Sequence, residues 1–333
     1  MDLSNHAASR LERARLSLNG LSVGDAFGER FVGPIDDVLP QIAARTLPSP
    51  PWIYTDDTEM ALALVESLAE SDRVDGDALA RVFVRRYTAE PNRGYGGGAV
   101  RILHAIRAGT NWREASRTAF RGEGSRGNGA AMRVAPLGAY FADDVELAAS
   151  QAGDSAKVTH AHPDGVAGAI AVAVAAAHAC RLREREDTSA AHPALLDVAL
   201  QHCPSGPTRD VLLVARQLPA TTTTAKAARA LGNGSRLLSC DTVPFALWCA
   251  QTYLHDYAEA LWQTVSALGD LDTTCAIVGG VVGLVDPPPR KWLRARENLR
   301  FESLSDAPDR LQRIARRLEN WLSSIRSTRP SRP

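Results

Sequence analysis

Net charge, lysine, aromatic side chains and paired cysteine motifs are all scarce in this 333-residue chain, and each shortage closes off a class of function. The 38 basic and 38 acidic residues cancel. The chain therefore lacks the broad positive field that non-specific nucleic-acid binding or adhesion to anionic lipid requires, and no nucleic-acid partner is expected. Only Lys157, Lys226 and Lys291 are lysine, the other basic residues being arginine; we assign that bias to the base composition of the gene before any chemistry. Cys180, Cys203, Cys240, Cys249 and Cys275 are odd in number and never spaced Cys-x-x-Cys. This argues against a disulfide framework or a structural zinc site and for a reducing, cytoplasmic setting. Residues 1–20 mix acids and bases with no sustained apolar block, so no signal peptide is expected. The most apolar run, Val166 to Cys180, carries His178 and is shorter than the ~20 residues of a membrane helix. It reads as a helix buried inside the protein, with no membrane partner.

What is present is an ordinary globular composition, 45% apolar and 23% charged. Helical periodicity dominates: Leu11, Ala14, Leu18, Leu21, Asp25 and Gly28 share one face, as do Met60, Ala61, Leu64, Val65 and Leu68. Strict alternation and hairpin signals are missing. The expectation is an all-α chain forming one compact domain over residues 8–325, with a Ser/Arg/Pro-rich frayed end at 327–333. Loops are expected at 48–51, 90–98, 122–129, 204–207 and 287–289, and the Thr221–Thr224 run reads as a loop ending at a helix N-terminus.

Four segments carry candidate chemistry. Thr55-Asp56-Asp57-Thr58-Glu59 precedes an apolar helical stripe. Asp56-x-x-Glu59 has capping-box spacing, and acids suit a helix N-terminus, but two adjacent carboxylates flanked by hydroxyls also suit a hard divalent cation. Asp270-Leu271-Asp272-Thr273 opens a helix otherwise made of small apolar residues; several carboxylates buried there are costly unless protonated or compensated by a cation. The glycine-rich stretch Gly124-Ser125-Arg126-Gly127-Asn128-Gly129, leading to Arg133, can present backbone N–H groups to a phosphate, or be a plain surface loop. Thr159-His160-Ala161-His162 precedes the apolar run; on a helical chain its two histidines point apart. Gly94-Tyr95-Gly96-Gly97-Gly98-Ala99 offers a Gly-x-Gly-x-x-Ala pattern, but no buried strand precedes it, so a dinucleotide-binding reading fails.

Taken in order, Gly24-Asp25-Ala26-Phe27-Gly28, Thr55 to Thr58, Gly94 to Gly96, Gly124 to Arg133, Thr159 to Ala161 and Asp270 to Thr273 resemble the ADP-ribosylglycohydrolase family over roughly residues 16–285. The resemblance implies a compact all-α fold around two Mg²⁺ or Mn²⁺ ions, held by Thr55, Asp56, Asp57, Asp270, Asp272 and Thr273. It implies ADP-ribose contacts from Gly94, Tyr95 and Gly96, from Gly124, Ser125, Arg126, Gly127, Asn128 and Gly129, and from His160, with Phe120 near the nucleotide. Members often carry a gating Glu seven positions after the first motif's Asp; here that position is Val32, and the nearest acid is Glu29. Either Glu29 takes that role from another backbone position or the gating carboxylate is lacking. Asp25, on an apolar face, reads as a buried hydrogen-bonded support.

The implied reaction is hydrolysis of the bond between ADP-ribose and a modified acceptor, releasing ADP-ribose from a protein or small substrate. Asp56 or Asp57 leads as general base, with Glu29 a third candidate, and an arginine-type linkage is favoured by resemblance to bacterial relatives. The alternative is a relative that binds ADP-ribose, or serves a structural role, without turnover. A metal-dependent phosphatase is a further rival.

Overall fold

The computed structural model describes residues 3–184 and 194–300. The expected end at 327–333, and the last part of the expected domain, lie outside them. Among the described residues every regular element is helical, and only two isolated backbone bridges occur, Trp52 with Arg296 and Gly127 with Leu238. The helices are α1 (Leu3–Glu29), α2 (Ile35–Ala43), α3 (Asp56–Ser71), α4 (Gly76–Ala89), α5 (Gly97–Arg107), α6 (Trp112–Thr118), α7 (Ala135–Tyr140) and α8 (Val145–Lys157) in the first half. They continue as α9 (Pro163–Arg183), α10 (Leu195–His202), α11 (Pro207–Gln217), α12 (Thr224–Leu231), α13 (Ser239–Thr252), α14 (Tyr257–Ser266), α15 (Leu271–Val282) and α16 (Arg290–Ala295).

The architecture turns on how closely α1 approaches α15. Gly20, Gly24 and Gly28 recur every fourth residue and so form one bare stripe along α1. A Cβ at Gly20 would stand 2.1 Å from Gly279 O, at Gly24 2.1 Å from Cys275 O, and at Gly28 2.2 Å from Leu271 O. Backbone therefore lies on backbone, and the antiparallel pairing brings the end of α1 to the start of α15. The joint is clamped by rings: Phe27 stacks on Trp292 at 4.7 Å and meets Trp262 edge-on at 4.9 Å, with Phe31 and Trp52 beside them. Each large apolar side chain so buried stabilises by roughly 1.5–3 kcal/mol.

Around that pair, α9 runs through the interior against α7, α8, α10 and α13. It has 21 residues, longer than the apolar run suggested, and by length and composition could cross a bilayer; most of its apolar window is nevertheless buried inside the protein. Small side chains make this possible, Ala167 to Ala179 leaving room for neighbours on every side. Two loop boundaries shift from expectation, because α5 begins at Gly97 and α11 at Pro207. The threonine run behaves as read: Thr223 caps α12, its side chain accepting from Lys226 N.

Candidate active site

The helix pairing carries Asp25 to the N-terminus of α3. Its carboxylate accepts from the backbone N–H of Thr55 and of Thr58 and from both their hydroxyls. Orphan donors of the first turn are thereby satisfied from another helix. Asp25 is fully buried, as expected of a support residue. Burial, with the charge of Asp272, pushes its pKa up to about 7 against the pull of those hydrogen bonds.

The capping-box reading of Asp56 and Glu59 is corrected here. Thr55 is the cap, its Oγ1 accepting from Asp57 N at 3.3 Å, and Asp56 is the first helical residue. Glu59 turns the other way, accepting from Tyr54 Oη at 2.9 Å and from Arg86 Nε at 2.7 Å. Both aspartates are thus released from capping. Thr55 Oγ1 also lies 2.8 Å from Asp25 Oδ1 and 3.1 Å from Asp57 Oδ2. One hydroxyl has one proton, and with the shorter contact going to Asp25 the Asp57 oxygen receives none from it.

Asp56, Asp57, Asp270 and Asp272 line a single cleft of about 540 Å³ with Thr273, within the usual range for a small-molecule site. Burial, and then the charge of Asp272, raise the pKa of Asp56 and Asp57 and push Asp270 up to about 7. Asp57 Oδ1 is buried with no hydrogen-bond partner. A divalent cation suits this set: hard oxygen donors, mutually repelling carboxylates and an orphaned oxygen all call for positive charge. No three acidic, imidazole or thiol side chains among the described residues already gather at one ion-sized point. Glu29, half-buried at the end of α1, is not part of the cleft lining, although burial and Asp272 raise its pKa. Val32 is exposed.

The same cleft takes in the glycine-rich stretch from Gly124 to Gly129, together with His160 and Phe120. Gly124 has φ +75°, and a Cβ there would meet His162 N at 2.6 Å, so only glycine fits. Ser125 Oγ accepts from Gly127 N at 3.1 Å, and Asn128 Nδ2 donates to Asp270 Oδ2. Arg126 is exposed and paired with Glu123 at 2.9 Å. Phe120, half exposed, lies beneath Arg101 and against Gly98, where a Cβ would touch its ring at 2.8 Å. The 94–96 segment contributes Gly94 and Gly96, whereas Tyr95 departs from expectation: its ring is buried edge-on to Tyr87 at 4.9 Å and does not line the cleft.

His160 and His162 separate as a helical chain requires. His162 caps α9, its Nδ1 accepting from Asp164 N at 3.0 Å. His160 is buried, and that burial, followed by the charge of Arg133, lowers its pKa to about 3, so its imidazole is neutral. Arg133 Nη2 donates to Thr159 Oγ1 at 3.0 Å, and Thr159 Oγ1 lies 2.8 Å from His160 Nδ1. A hydroxyl that accepts from Arg133 still has its own proton to give, and giving it to Nδ1 would leave the ring's N–H on Nε2, which faces the glycine-rich loop, 3.3 Å from the Cβ position of Gly127.

Sequence reasoning did not single out Gly97 to Ala99, Ile102, Met60, Met132, or Arg236 to Leu238 as cleft residues. The first three glycine neighbours extend a motif already noted. The Arg236 segment had one available signal, the Gly232-x-Gly234 pair before it.

An all-helical fold with an acidic cleft rimmed by a glycine-rich loop defines the class, an ADP-ribosylglycohydrolase-like fold. The ADP-ribosylglycohydrolase family profile matches residues 6–324, and the chain belongs to that family. The human protein ADP-ribosylhydrolase ARH3 is 29% identical over 335 residues, covering 87% of this chain and 91% of its own. An uncharacterised protein of Archaeoglobus fulgidus is also 29% identical, over 310 residues, covering 87% and 93%. Among solved structures, one chain of an ADP-ribosylglycohydrolase-related protein complex matches with TM-score 0.62 at 24% identity, covering 87% of this chain and 94% of that one, a likeness of fold.

Proposed function

We propose that this chain hydrolyses the glycosidic bond between ADP-ribose and a modified acceptor, releasing ADP-ribose from a protein or small substrate. Family membership and the likeness to an ADP-ribosylhydrolase support a hydrolase. The observation that carries the reading is that carboxylates from two distant segments open into the same cleft as the glycine-rich backbone. In this reading Asp56, Asp57, Asp270, Asp272 and Thr273 of the cleft lining, with Thr55 beside Asp57 but outside that lining, would hold two divalent cations, Mg²⁺ or Mn²⁺. Such ions, when bound, supply Lewis acidity and a more acidic water.

The chain's own groups do the rest. The amides of Gly124, Gly127 and Asn128 already donate within the protein, so in this reading the amides of Ser125, Arg126 and Gly129 receive the diphosphate, His160 donates from Nε2, and the Phe120 ring offers a face to the adenine. Carboxylates of the cleft stabilise the oxocarbenium character that develops as the acceptor leaves. Asp56 or Asp57 takes the proton of the attacking water at a carboxylate oxygen, burial having raised both above the usual carboxylate range. An arginine-type linkage is our favoured acceptor on the family resemblance, and of the acids named for it Asp272 lines the cleft whereas Glu29 does not. We place the protein in a reducing, cytoplasmic setting, supported by five free cysteines.

The test is release of ADP-ribose from ADP-ribosyl-arginine and ADP-ribosyl-serine substrates in Mg²⁺ or Mn²⁺. Release is expected and should vanish in a double Asp57→Asn, Asp272→Asn variant that keeps its helical spectrum. Binding of ADP-ribose with no release from any linkage would instead identify a binding protein of the same fold.

A further inference from the structure

The loop at 232–238, between α12 and α13, forms one wall of the cleft through Arg236, Leu237 and Leu238. It is fastened on both sides. Toward the glycine-rich loop, Asn128 N donates to Leu237 O at 3.2 Å and Ser239 N to Arg126 O at 3.0 Å. Toward the acidic end, Asp270 N donates to Asn233 O at 3.2 Å, and a Cβ at Gly234 would stand 2.5 Å from that of Asp270. Left-handed backbone at Gly232, Gly234 and Leu237 makes this route possible. Strain at a non-glycine residue such as Leu237 persists only where the surroundings enforce it.

What the loop delivers is a guanidinium. Asp241, buried in the first turn of α13, accepts from the backbone N of Arg236 at 2.8 Å and from its Nε at 3.0 Å. The Arg236 side chain as a whole is 63% exposed. Arginine held along one edge by a carboxylate presents its remaining N–H groups in a fixed fork that matches phosphate oxygens. Arg236 shares the cleft lining with the glycine-rich loop to which its own loop is fastened, and backbone N–H groups there also suit an anion.

We propose that Arg236, aimed by Asp241 beside the glycine-rich loop, grips the diphosphate of the bound nucleotide. This rests on the ADP-ribose reading of the cleft. Asp241 acts here as a positioning residue.

Calorimetry with ADP-ribose, ADP and adenosine, on the full chain and on Arg236→Ala, Arg236→Lys and Asp241→Asn, tests the assignment. Loss of one charge-assisted contact should weaken ADP-ribose and ADP by roughly 10- to 100-fold in Arg236→Ala. Adenosine should be unchanged, Arg236→Lys should recover part of the loss, and the difference should shrink in high salt. Asp241→Asn should fall between, with the same selectivity for the phosphorylated ligands. Unaltered ADP-ribose affinity in Arg236→Ala, or an equal loss for adenosine, overturns the assignment while leaving the cleft reading intact. If the unsubstituted chain binds no ADP-ribose, the cleft reading fails and takes this assignment with it.

Discussion

Asn128 Nδ2 donates to Asp270 Oδ2 at 2.6 Å across 142 residues of sequence, and its second contact, at 3.0 Å, is Thr242 Oγ1. This one amide fastens the glycine-rich loop to the acidic end of the cleft. It also pulls the Asp270 pKa down against burial and the charge of Asp272.

Asn128→Ala should leave a buried carboxylate short of a donor. A hydrogen bond to a charged group is worth about 1.5–3 kcal/mol, and that is the expected loss of stability. Urea unfolding measures it. A loss below about 0.5 kcal/mol would show that the two loops are held by their backbone contacts alone.

Asp25 and Asp270 have pKa values near 7 against an ordinary 3.8. Groups whose folded pKa is raised contribute stability that is complete below about 3.8 and is lost as pH rises through about 7. In EDTA, their contribution should therefore make the melting temperature decline from pH 4 to pH 8. Divalent cations neutralise the same charges, so Mg²⁺ or Mn²⁺ should raise the melting temperature more at pH 8 than at pH 5. At a hundredfold excess over Kd, binding adds ~2.7 kcal/mol. An equal effect at both pH values would count against a cation at these carboxylates.

Gly24→Ala places a methyl group where Cys275 O already stands. Overpacking costs typically about 1–3 kcal/mol, and backbone against backbone yields less readily than side chains. We expect a stability loss of ~3 kcal/mol or more in urea, and a fall in any ADP-ribose release larger than the unfolded fraction explains, because α1 carries Asp25 under Thr55 and Thr58. Loss of stability with full specific activity in the folded fraction would separate packing from the site.

Thr159→Val removes the hydroxyl between Arg133 and His160 while keeping the side-chain volume. Without it the imidazole tautomer is no longer set, and ADP-ribose binding should weaken about tenfold, near 1.4 kcal/mol. Thr159→Ser should keep normal affinity. Nitrogen NMR of the imidazole reads the tautomer directly; an Nε2-protonated ring in Thr159→Val would rule out this relay.

Much of the local structure is written in the chain itself. The stripes at Leu11 to Gly28 and Met60 to Leu68 announce helices because a period near 3.6 admits no other regular element. Thr223 and His162 sit at helix starts because their side chains satisfy free N–H groups there. The motif order, too, is a property of the sequence. Tertiary structure decided the rest. The cap of α3 went to Thr55, not Asp56, and its remaining donors were answered by Asp25 from another helix. Tyr95 went inward because Tyr87 offered an apolar face. Arg236 became part of the cleft wall because a loop with no motif of its own was pinned between two others. Asp57 and Asp272 share a cavity because three bare glycines let two backbones touch, and close approach depends on what lies opposite, which no local pattern records.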